Sequence, residues 1–432
     1  MQSYEYAIII IICLTIPPLF YIRFYYSFWS HQPIYHTYDF MRGWTLPREG
    51  TLLELSPQKR KFCDFYHIKT RKYHDISHLE KQHLAHFLQT NYISSESVLH
   101  MISANALDHL MTGFIRSPAI SIYFDYDYTS LTPNDDIVPF DMSTNPLEQA
   151  LLKLQQIRRT PRIQACMLST QINLYNPTSI TPSLIIPTPL YYWNYICTKR
   201  TANDPKYTQH LIQTHDYNIR MLDNRGTLFK KEIILCEGVV PLIQYRSYSY
   251  IIAPRFQLRP LSLFLTIQQL RTESDISIII NCLTTSGKKY ILPEIGNIPA
   301  LLNNHELFVF SLKYRDEIYG MYFVKNANMH YDGIEGGDIG TESGNSIQLI
   351  ASVKQVYSDE LFVLGWEHVL HAILKIRNTY RILLVDEMAD NAVILGSLNR
   401  SLAFQSNMAA YYLYNYAMYG MPFRPNEWAI IV

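Results

Sequence analysis

Two stretches of this chain follow the same order, in which strand-like runs alternate with helix-like segments, and this order limits the possible folds more than any other feature. The first stretch ends near residue 240, and the second begins after Pro260. Strands that alternate with helices predict an α/β fold, here with two similar halves. The predicted strands are 163–174, 189–198, 232–240, 276–282, 307–312, 318–324, 346–356 and 380–386, and the predicted helices are 77–91, 146–158, 199–220 and 358–376.

Two of the predicted helices have recognisable start signals. Ser77 followed by Glu80 is a capping box, in which each side chain satisfies a backbone N–H at the start of a helix. Asn145 can cap the helix at 146–158, and Pro146 would occupy its first position, where the missing N–H of proline costs nothing. These signals support the predicted boundaries.

The composition excludes several classes of function. The chain has 37 basic and 37 acidic side chains and no basic run, so it lacks the clustered positive charge that binds nucleic acid. Only 16 of the 432 residues are glycine, against a usual share of about 7%, which argues against glycine-based phosphate loops. The six cysteines include no CxxC pair, which favours a reducing compartment.

No metal site is expected. Four histidines cluster around the helix at 77–91, but no carboxylate or cysteine at ligand spacing completes a site. The glycine-rich segment 333–345 is acidic and has no lysine, so we interpret it as a substrate-side loop and not as a phosphate cradle. The four histidines are His74, His78, His83 and His86.

The N-terminus contains an uncharged apolar run at residues 7–22, slightly shorter than the roughly 20 residues that cross a bilayer. Arg23 follows the run, and by the positive-inside rule the rest of the chain would stay in the cytosol. We therefore predict a membrane anchor at residues 1–23 and a single-pass membrane protein. A buried N-terminal helix of the globular body would show the same pattern.

The C-terminal end, NEWAIIV, is apolar, and apolar chain ends tend to be buried. Burial would carry the α-carboxylate of Val432 inward, where a charge is costly unless it has hydrogen-bond partners or a task. The alternative is an edge strand with its terminus at the surface.

Five segments, taken in order along the chain, resemble the successive landmarks of N-myristoyltransferases. The closest matches are the FW..QP opening and the YYLYN signature, and the chain between them resembles the family weakly. The tyrosine-rich, glycine-poor composition would suit a member from a large DNA virus. The segments are FWSHQPI (28–34), FLQTNYI (87–93), WNYIC (193–197), QLRP (257–260) and YYLYNY (411–416).

The resemblance implies an α/β fold of tandem GNAT-like halves around a pseudo-twofold axis, which agrees with the two series of elements. After the predicted anchor, residues 24–255 would form the half that holds acyl-CoA. Residues 256–432 would form the half that contributes much of the peptide groove. Acyl-CoA is then a co-substrate, and no separate cofactor is expected.

The resemblance also implies roles for individual residues on the acyl-CoA side. Phe28, Trp29, Gln32 and Pro33 would pack over acyl-CoA, with core packing as the alternative. The backbone N–H groups of the pair Tyr195 and Ile196 would stabilise the thioester oxyanion. The CoA phosphates would lie near a segment that keeps one of its basic residues, Lys206, with Lys199 and Arg200 as substitutes.

On the acceptor side, the resemblance implies peptide contacts from Tyr92, Tyr411, Tyr412 and the carboxylate of Asp386. An exposed aspartate at a strand end is the alternative for Asp386. The acidic stretch that follows NYV in the family is replaced here by SSES at 94–97. A preference for basic residues in the acceptor peptide therefore need not persist, and the acceptor sequence stays open.

The leading hypothesis is a protein N-acyltransferase that moves myristoyl from myristoyl-CoA to the amine of an N-terminal glycine peptide. An α-amine has a pKa near 8, so it must lose a proton before it attacks the thioester. The Val432 carboxylate is the predicted base. The alternatives are a catalytically inactive scaffold or receptor for acylated N-termini, and a GNAT-type enzyme that acts on another amine.

Overall fold

The computed structural model describes residues 28–93, 97–125, 162–177, 186–200, 204–252, 258–335, 341–355 and 358–432. Within them the helices are α1 (Phe40–Gly43), α2 (His78–Asn91), α3 (Ala104–Leu110), α4 (Pro205–Leu222), α5 (Glu273–Thr285), α6 (Ile298–Asn303), α7 (Asp359–Ile376) and α8 (Asn391–Leu398). Short 3-10 turns lie at Trp29–His31, Tyr73–Asp75, Arg400–Leu402 and Pro425–Glu427.

The strands of the described residues are β1 (Thr51–Leu52), β2 (Ile68–Lys72), β3 (Val98–His100), β4 (Ala119–Asp125), β5 (Arg162–Tyr175), β6 (Thr188–Thr198), β7 (Thr227–Glu232), β8 (Ile243–Ile251), β9 (Leu265–Leu270), β10 (Lys289–Pro293), β11 (Leu307–Tyr314), β12 (Glu317–Glu335), β13 (Thr341–Lys354), β14 (Tyr380–Asp386), β15 (Gln405–Tyr414), β16 (Tyr416–Ala417) and β17 (Trp428–Ile430).

Most of these strands form one large mixed sheet in the order β17-β10-β5-β6-β7-β15-β8-β14-β13-β12-β11-β9. Strand β4 pairs with β5 and also with β2, strand β3 pairs with β12, and a separate pair joins β1 and β16. The α/β class predicted from the sequence is confirmed.

The sheet contains the same supersecondary unit twice. In the first copy, the antiparallel strands β4, β5 and β6 are followed by helix α4 and then by β7, which runs parallel to β6. In the second copy, the antiparallel strands β11, β12 and β13 are followed by helix α7 and then by β14, which runs parallel to β13. Both helices have 18 residues. This repetition agrees with the two similar halves expected from the sequence, while their GNAT-like character and the boundary near residue 255 stay predictions.

Each of these two helices buries one face against the strands of its own unit. Helix α4 buries Leu211 and Ile219 over β4 and β5, and helix α7 buries Trp366 and Ile373 over β11 and β12. The capping box at Ser77 and Glu80 is present and starts α2 one residue later, as predicted. The predicted helix at 146–158 lies outside the described residues.

Two predicted strands are wrong. Residues 276–282 belong to helix α5, because Thr272 and Asp275 form a capping box and Ile276, Ile279 and Leu283 recur at helical spacing on its buried side. The run at 232–240 contains only the last residue of β7, since Ile233 has a positive φ of 66° that ends the extended conformation.

The prediction of a single-pass membrane protein is wrong. Among the residues that the structure describes, no helix is both long and apolar enough to cross a membrane. Helix α7, for example, has 18 residues, but four of them are charged, which makes the helix too polar to cross a membrane. These residues are Asp359, Glu360, Glu367 and Lys375. The anchor predicted at residues 1–23 lies outside the described residues.

Candidate active site

Strands β6 and β7 run parallel for only three residues and then separate. Tyr191, Tyr192 and Trp193 pair with the start of β7, and the rest of β6 pairs only with β5. Strand β7 instead continues its pairing with β15. An opening therefore forms between β6 and β7 beyond Trp193, and it exposes one edge of β6.

A β-bulge at Asn194 changes which backbone groups face this opening. Trp193 pairs with Ser169 and Tyr195 pairs with the adjacent Leu168, so Asn194 is the extra residue. Farther along, the Lys199 N–H donates to the Gln164 oxygen over 2.7 Å.

Because hydrogen-bonding pairs alternate along an antiparallel ladder, the Lys199 bond fixes the direction of the preceding amides. The N–H of Tyr195 points towards β5, and the N–H of Ile196 points away from β5 into the opening. Of the predicted oxyanion pair, the Ile196 amide therefore faces the place where a ligand could enter. The role of Tyr195 stays a prediction.

A small, partly open cavity of about 40 Å³ lies next to the bulge. The Thr170 hydroxyl holds Asn194 in the wall by donating to its side-chain oxygen over 2.8 Å. Strands that are far apart in the sheet order line this cavity together, so the sheet curves around it. The lining residues are Leu110, Thr170, Ile172, Tyr192, Asn194, Pro293, Asn297, Leu301, Glu306, Leu307, Lys325, Ile350, Ile431 and Val432.

The C-terminal segment forms one wall of this cavity. Strand β17 pairs parallel with β10, its three side chains are fully buried, and the Ile431 N–H donates to the Ile291 oxygen over 2.9 Å. The Nζ of Lys325 donates to an oxygen of Val432 over 2.9 Å. The segment is the last strand in the sheet order, yet it is buried, which decides between the two alternatives that its sequence left open.

A charged cluster lies close to this cavity. Asp386 is completely buried, and its Oδ2 accepts from the Tyr245 hydroxyl over 3.2 Å and from the Gln348 amide over 3.0 Å. The Lys230 Nζ lies 3.8 Å from the same oxygen and 2.5 Å from Glu232. Burial raises the pKa of Asp386. An exposed strand-end aspartate, the alternative interpretation, is therefore excluded.

Three residues near the cavity that no sequence motif singled out are the buried Glu306 and His100 and the half-buried Lys325. Burial and the charge of Lys230 lower the pKa of Lys325 to about 8. Burial and the charge of Lys325 lower the pKa of His100 to about 4, and neither ring nitrogen of His100 has a hydrogen-bond partner among the described residues. The available signal was a single charge beside an apolar run, as in GMYFVK and ELFVF.

The predicted substrate-binding tyrosines do not share one surface. The ring of Tyr92 lies 5.0 Å from that of Tyr195 in an edge-to-face contact. Tyr411 packs in the cluster of Tyr192 and Tyr245, whereas Tyr412, its neighbour on β15, lies on the opposite face with Trp193. Strand alternation thus places Tyr411, but not Tyr412, on the Asp386 side.

The FW..QP segment packs against the sheet on the Tyr412 side. The ring of Trp29 stacks on that of Phe229 at 5.9 Å, and Phe28 is buried in the same cluster. The buried Gln32 accepts a hydrogen bond from the Tyr414 hydroxyl over 2.7 Å, and the Pro33 oxygen accepts one from the Asn415 N–H over 2.6 Å. Gln32 and Pro33 also line an open polar cleft that includes Arg42, Arg60 and Lys61.

The three predicted phosphate contacts lie between the end of β6 and the start of α4. Lys199 is half-buried, while Arg200 and Lys206 are exposed. Asp204 caps α4 by accepting from the Lys206 N–H over 2.9 Å. Residues 201–203, between these positions, are not described. Within the described part of the chain, no three His, Cys, Asp or Glu residues come together as a metal site.

Comparison with solved structures identifies the fold. The chain superposes on Saccharomyces cerevisiae N-myristoyltransferase with bound myristoyl-CoA at a TM-score of 0.62 and 10% identity, over 92% of this chain and 94% of that chain. A second yeast structure with bound myristoyl-CoA gives 0.62, and one that also holds inhibitors gives 0.61, both at 10% identity over 93% of this chain. No family model and no curated protein matches the sequence. The resemblance seen in the sequence is thus confirmed at the level of the fold, and the viral source stays a prediction.

Proposed function

We propose that this chain, which has the N-myristoyltransferase fold, is an acyl-CoA-dependent N-acyltransferase that transfers myristoyl to the amine of an N-terminal glycine peptide. The observation that carries the proposal is the opening between β6 and β7, into which the Ile196 N–H points beside the cavity at Asn194. The superposed yeast structures hold myristoyl-CoA, which supports a long-chain acyl-CoA as the donor.

The donor thioester would enter the opening with its carbonyl oxygen towards the Ile196 amide. A fixed N–H that meets the developing oxyanion stabilises the transition state more than the ground state. Because the group is a backbone amide, isoleucine can take the place of other side chains without loss of the donor.

The remaining donor contacts are proposed from the basic residues near the start of α4. Lys199, Arg200 and Lys206 lie on the segment that leads from the exposed edge of β6 into α4, where the phosphates of CoA would follow the thioester. Phe28 and Trp29 pack under this side of the sheet, while Gln32 and Pro33 reach a cleft with basic residues.

The acceptor amine would enter the cavity beside Asn194 and Val432, with Tyr92, Tyr411 and Asp386 contributing to the surrounding acceptor surface. Tyr412 lies on the opposite face, so we propose no direct peptide contact for it. During amide formation the nitrogen loses two protons, one before attack and one afterwards. We propose that the terminal carboxylate of Val432 accepts one of these protons, which agrees with the position of Val432 in the cavity wall.

The experiment is a two-step assay. Thermal-shift titration with myristoyl-CoA and shorter acyl-CoAs measures donor binding, and mass spectrometry then follows acyl transfer to a glycine peptide. The same peptide with a blocked amine is the control. Transfer to the free amine alone supports the proposal. Donor binding without transfer at any pH would favour a receptor for acylated N-termini, and no binding of any acyl-CoA would contradict both functions.

A further inference from the structure

A buried carboxylate, Glu306, lies in the wall of the cavity that also contains Asn194 and Lys325. Its residue is only 5% exposed, so an ionised side chain here needs partners. The Glu306 Oε2 accepts from the Asn328 amide over 3.0 Å and from the Asn326 amide over 3.4 Å. These two carboxamides fix the orientation of the carboxylate and use only one of its oxygens.

We propose that Glu306 is the general base that removes the ammonium proton of the acceptor amine. This inference rests on the proposed acyl-transfer function and names a further catalytic residue of the same site. The supporting geometry is the shared cavity, which Glu306 lines together with Asn194, the bulge residue two positions before Ile196 on β6.

The charges around Glu306 fit a carboxylate that gains and loses a proton. Burial raises its pKa, whereas the Asn328 hydrogen bond and the basic side chains of Arg377, Lys325 and His109 oppose this shift. The hydroxyls of Tyr195 and Tyr380 are the other titratable groups within electrostatic range. A carboxylate with a raised pKa is a better base than an exposed one.

Glu306 also lines a second, polar cavity that encloses about 830 Å³, including space open to solvent. Asn326, Asn328 and Arg377 line this second cavity as well. Glu306 therefore connects the buried reaction site with a solvent-accessible region, into which a proton can be released.

The ammonium gives one proton to the Glu306 carboxylate, and the neutral amine attacks the thioester carbon. The C–S bond then breaks, and the CoA thiolate leaves with the electron pair. The second nitrogen proton passes to Val432 and from there to the thiolate, which becomes the CoA thiol, while Glu306 returns its own proton to solvent. The products are an amide, CoA thiol and one released proton.

The test compares Glu306→Gln with wild type in single-turnover transfer of myristoyl from saturating myristoyl-CoA to a glycine peptide. Without the base, only acceptor amine that is already neutral can react. For an amine pKa of about 8, the neutral fraction is roughly a tenth at pH 7 and roughly a hundredth at pH 6. We expect a loss of up to about tenfold at pH 7 and up to about a hundredfold at pH 6, and near-equal rates above pH 9. Glu317→Gln, on an exposed residue at the start of β12, should match wild type.

The outcomes separate the two proposals. A wild-type chain that transfers no acyl group at any pH refutes the proposed function and the base together. A wild-type chain that is active, with a Glu306→Gln loss that is absent or equal at every pH, refutes only the base. If Glu306→Gln does not fold, Asn328→Ala replaces it, because this change removes a hydrogen bond that lowers the pKa of Glu306. The acidic limb of the pH–rate profile should then move to higher pH, and the rate above pH 9 should stay unchanged. An acidic limb that does not move contradicts the inference.

Discussion

Replacement of Ile196 by proline tests the proposed oxyanion site, because it removes the amide hydrogen that would bind the oxyanion. The N–H of Ile196 points away from β5, so its loss removes no bond of the β5–β6 ladder. If this N–H stabilises the thioester oxyanion, its removal should slow the chemical step by roughly 100- to 1,000-fold, which corresponds to about 2.7–4 kcal/mol.

The adjacent position provides a matched comparison. The Tyr195 N–H points towards β5, so Tyr195→Pro breaks the ladder and leaves a buried acceptor unpaired, at a cost of about 1–3 kcal/mol of stability in addition to the loss of the buried ring and its contact with Tyr92. We expect Tyr195→Pro to melt at a lower temperature than Ile196→Pro, and Ile196→Val to resemble wild type in stability and rate.

The assay has two stages, because proline can also disturb a strand. Myristoyl-CoA binding by thermal shift first establishes that Ile196→Pro is folded and holds the donor. Single-turnover transfer to a glycine peptide then gives the chemical rate. A folded, donor-binding Ile196→Pro that transfers at the wild-type rate would refute the proposed oxyanion site, and equal melting of the two proline variants would contradict the assigned amide directions.

Three further predictions concern the chain end, the core and acid stability. Appending six residues after Val432 should reduce turnover at least about 100-fold while myristoyl-CoA still binds, whereas Val432→Leu should stay active; an active tagged chain would exclude Val432 as a base. Trp428→Ala should lower the free energy of unfolding by about 3–5 kcal/mol, since the ring is fully buried beneath the cavity wall, and chemical denaturation measures this. Burial lowers the pKa of His215 to about 3, so the unfolded state binds more protons below pH 6.5 and stability should fall by up to about 1.4 kcal/mol per pH unit between pH 6.5 and 3. Melting curves of His215→Gln should show a shallower dependence in that range, and an equal slope would contradict the assignment.

Most strands and helices could be predicted because their signals are local. Strand β14 begins at Tyr380 and ends at Asp386, as predicted, and α2 begins after the Ser77 capping box. The failures have local causes too. The apolar run 276–282 is rich in isoleucine and suits a strand, but the capping box at Thr272, which starts a helix, and the burial of one face make it helical. The extended run at 232–240 is interrupted by a positive φ at Ile233, which no propensity indicates.

The sequence by itself determined the α/β class, the repeated order of elements and the family resemblance, and it left open whether the C-terminal segment is buried. These follow from residue periodicity, capping and the order of short motifs, which act between neighbours in the chain. Only the tertiary structure decided which amide of the Tyr195–Ile196 pair faces the opening, because a one-residue bulge at Asn194 reverses the alternation. It also decided that Glu306 and Lys325 share a cavity with Asn194, since the curvature of the sheet brings together strands that are far apart in both sequence and sheet order.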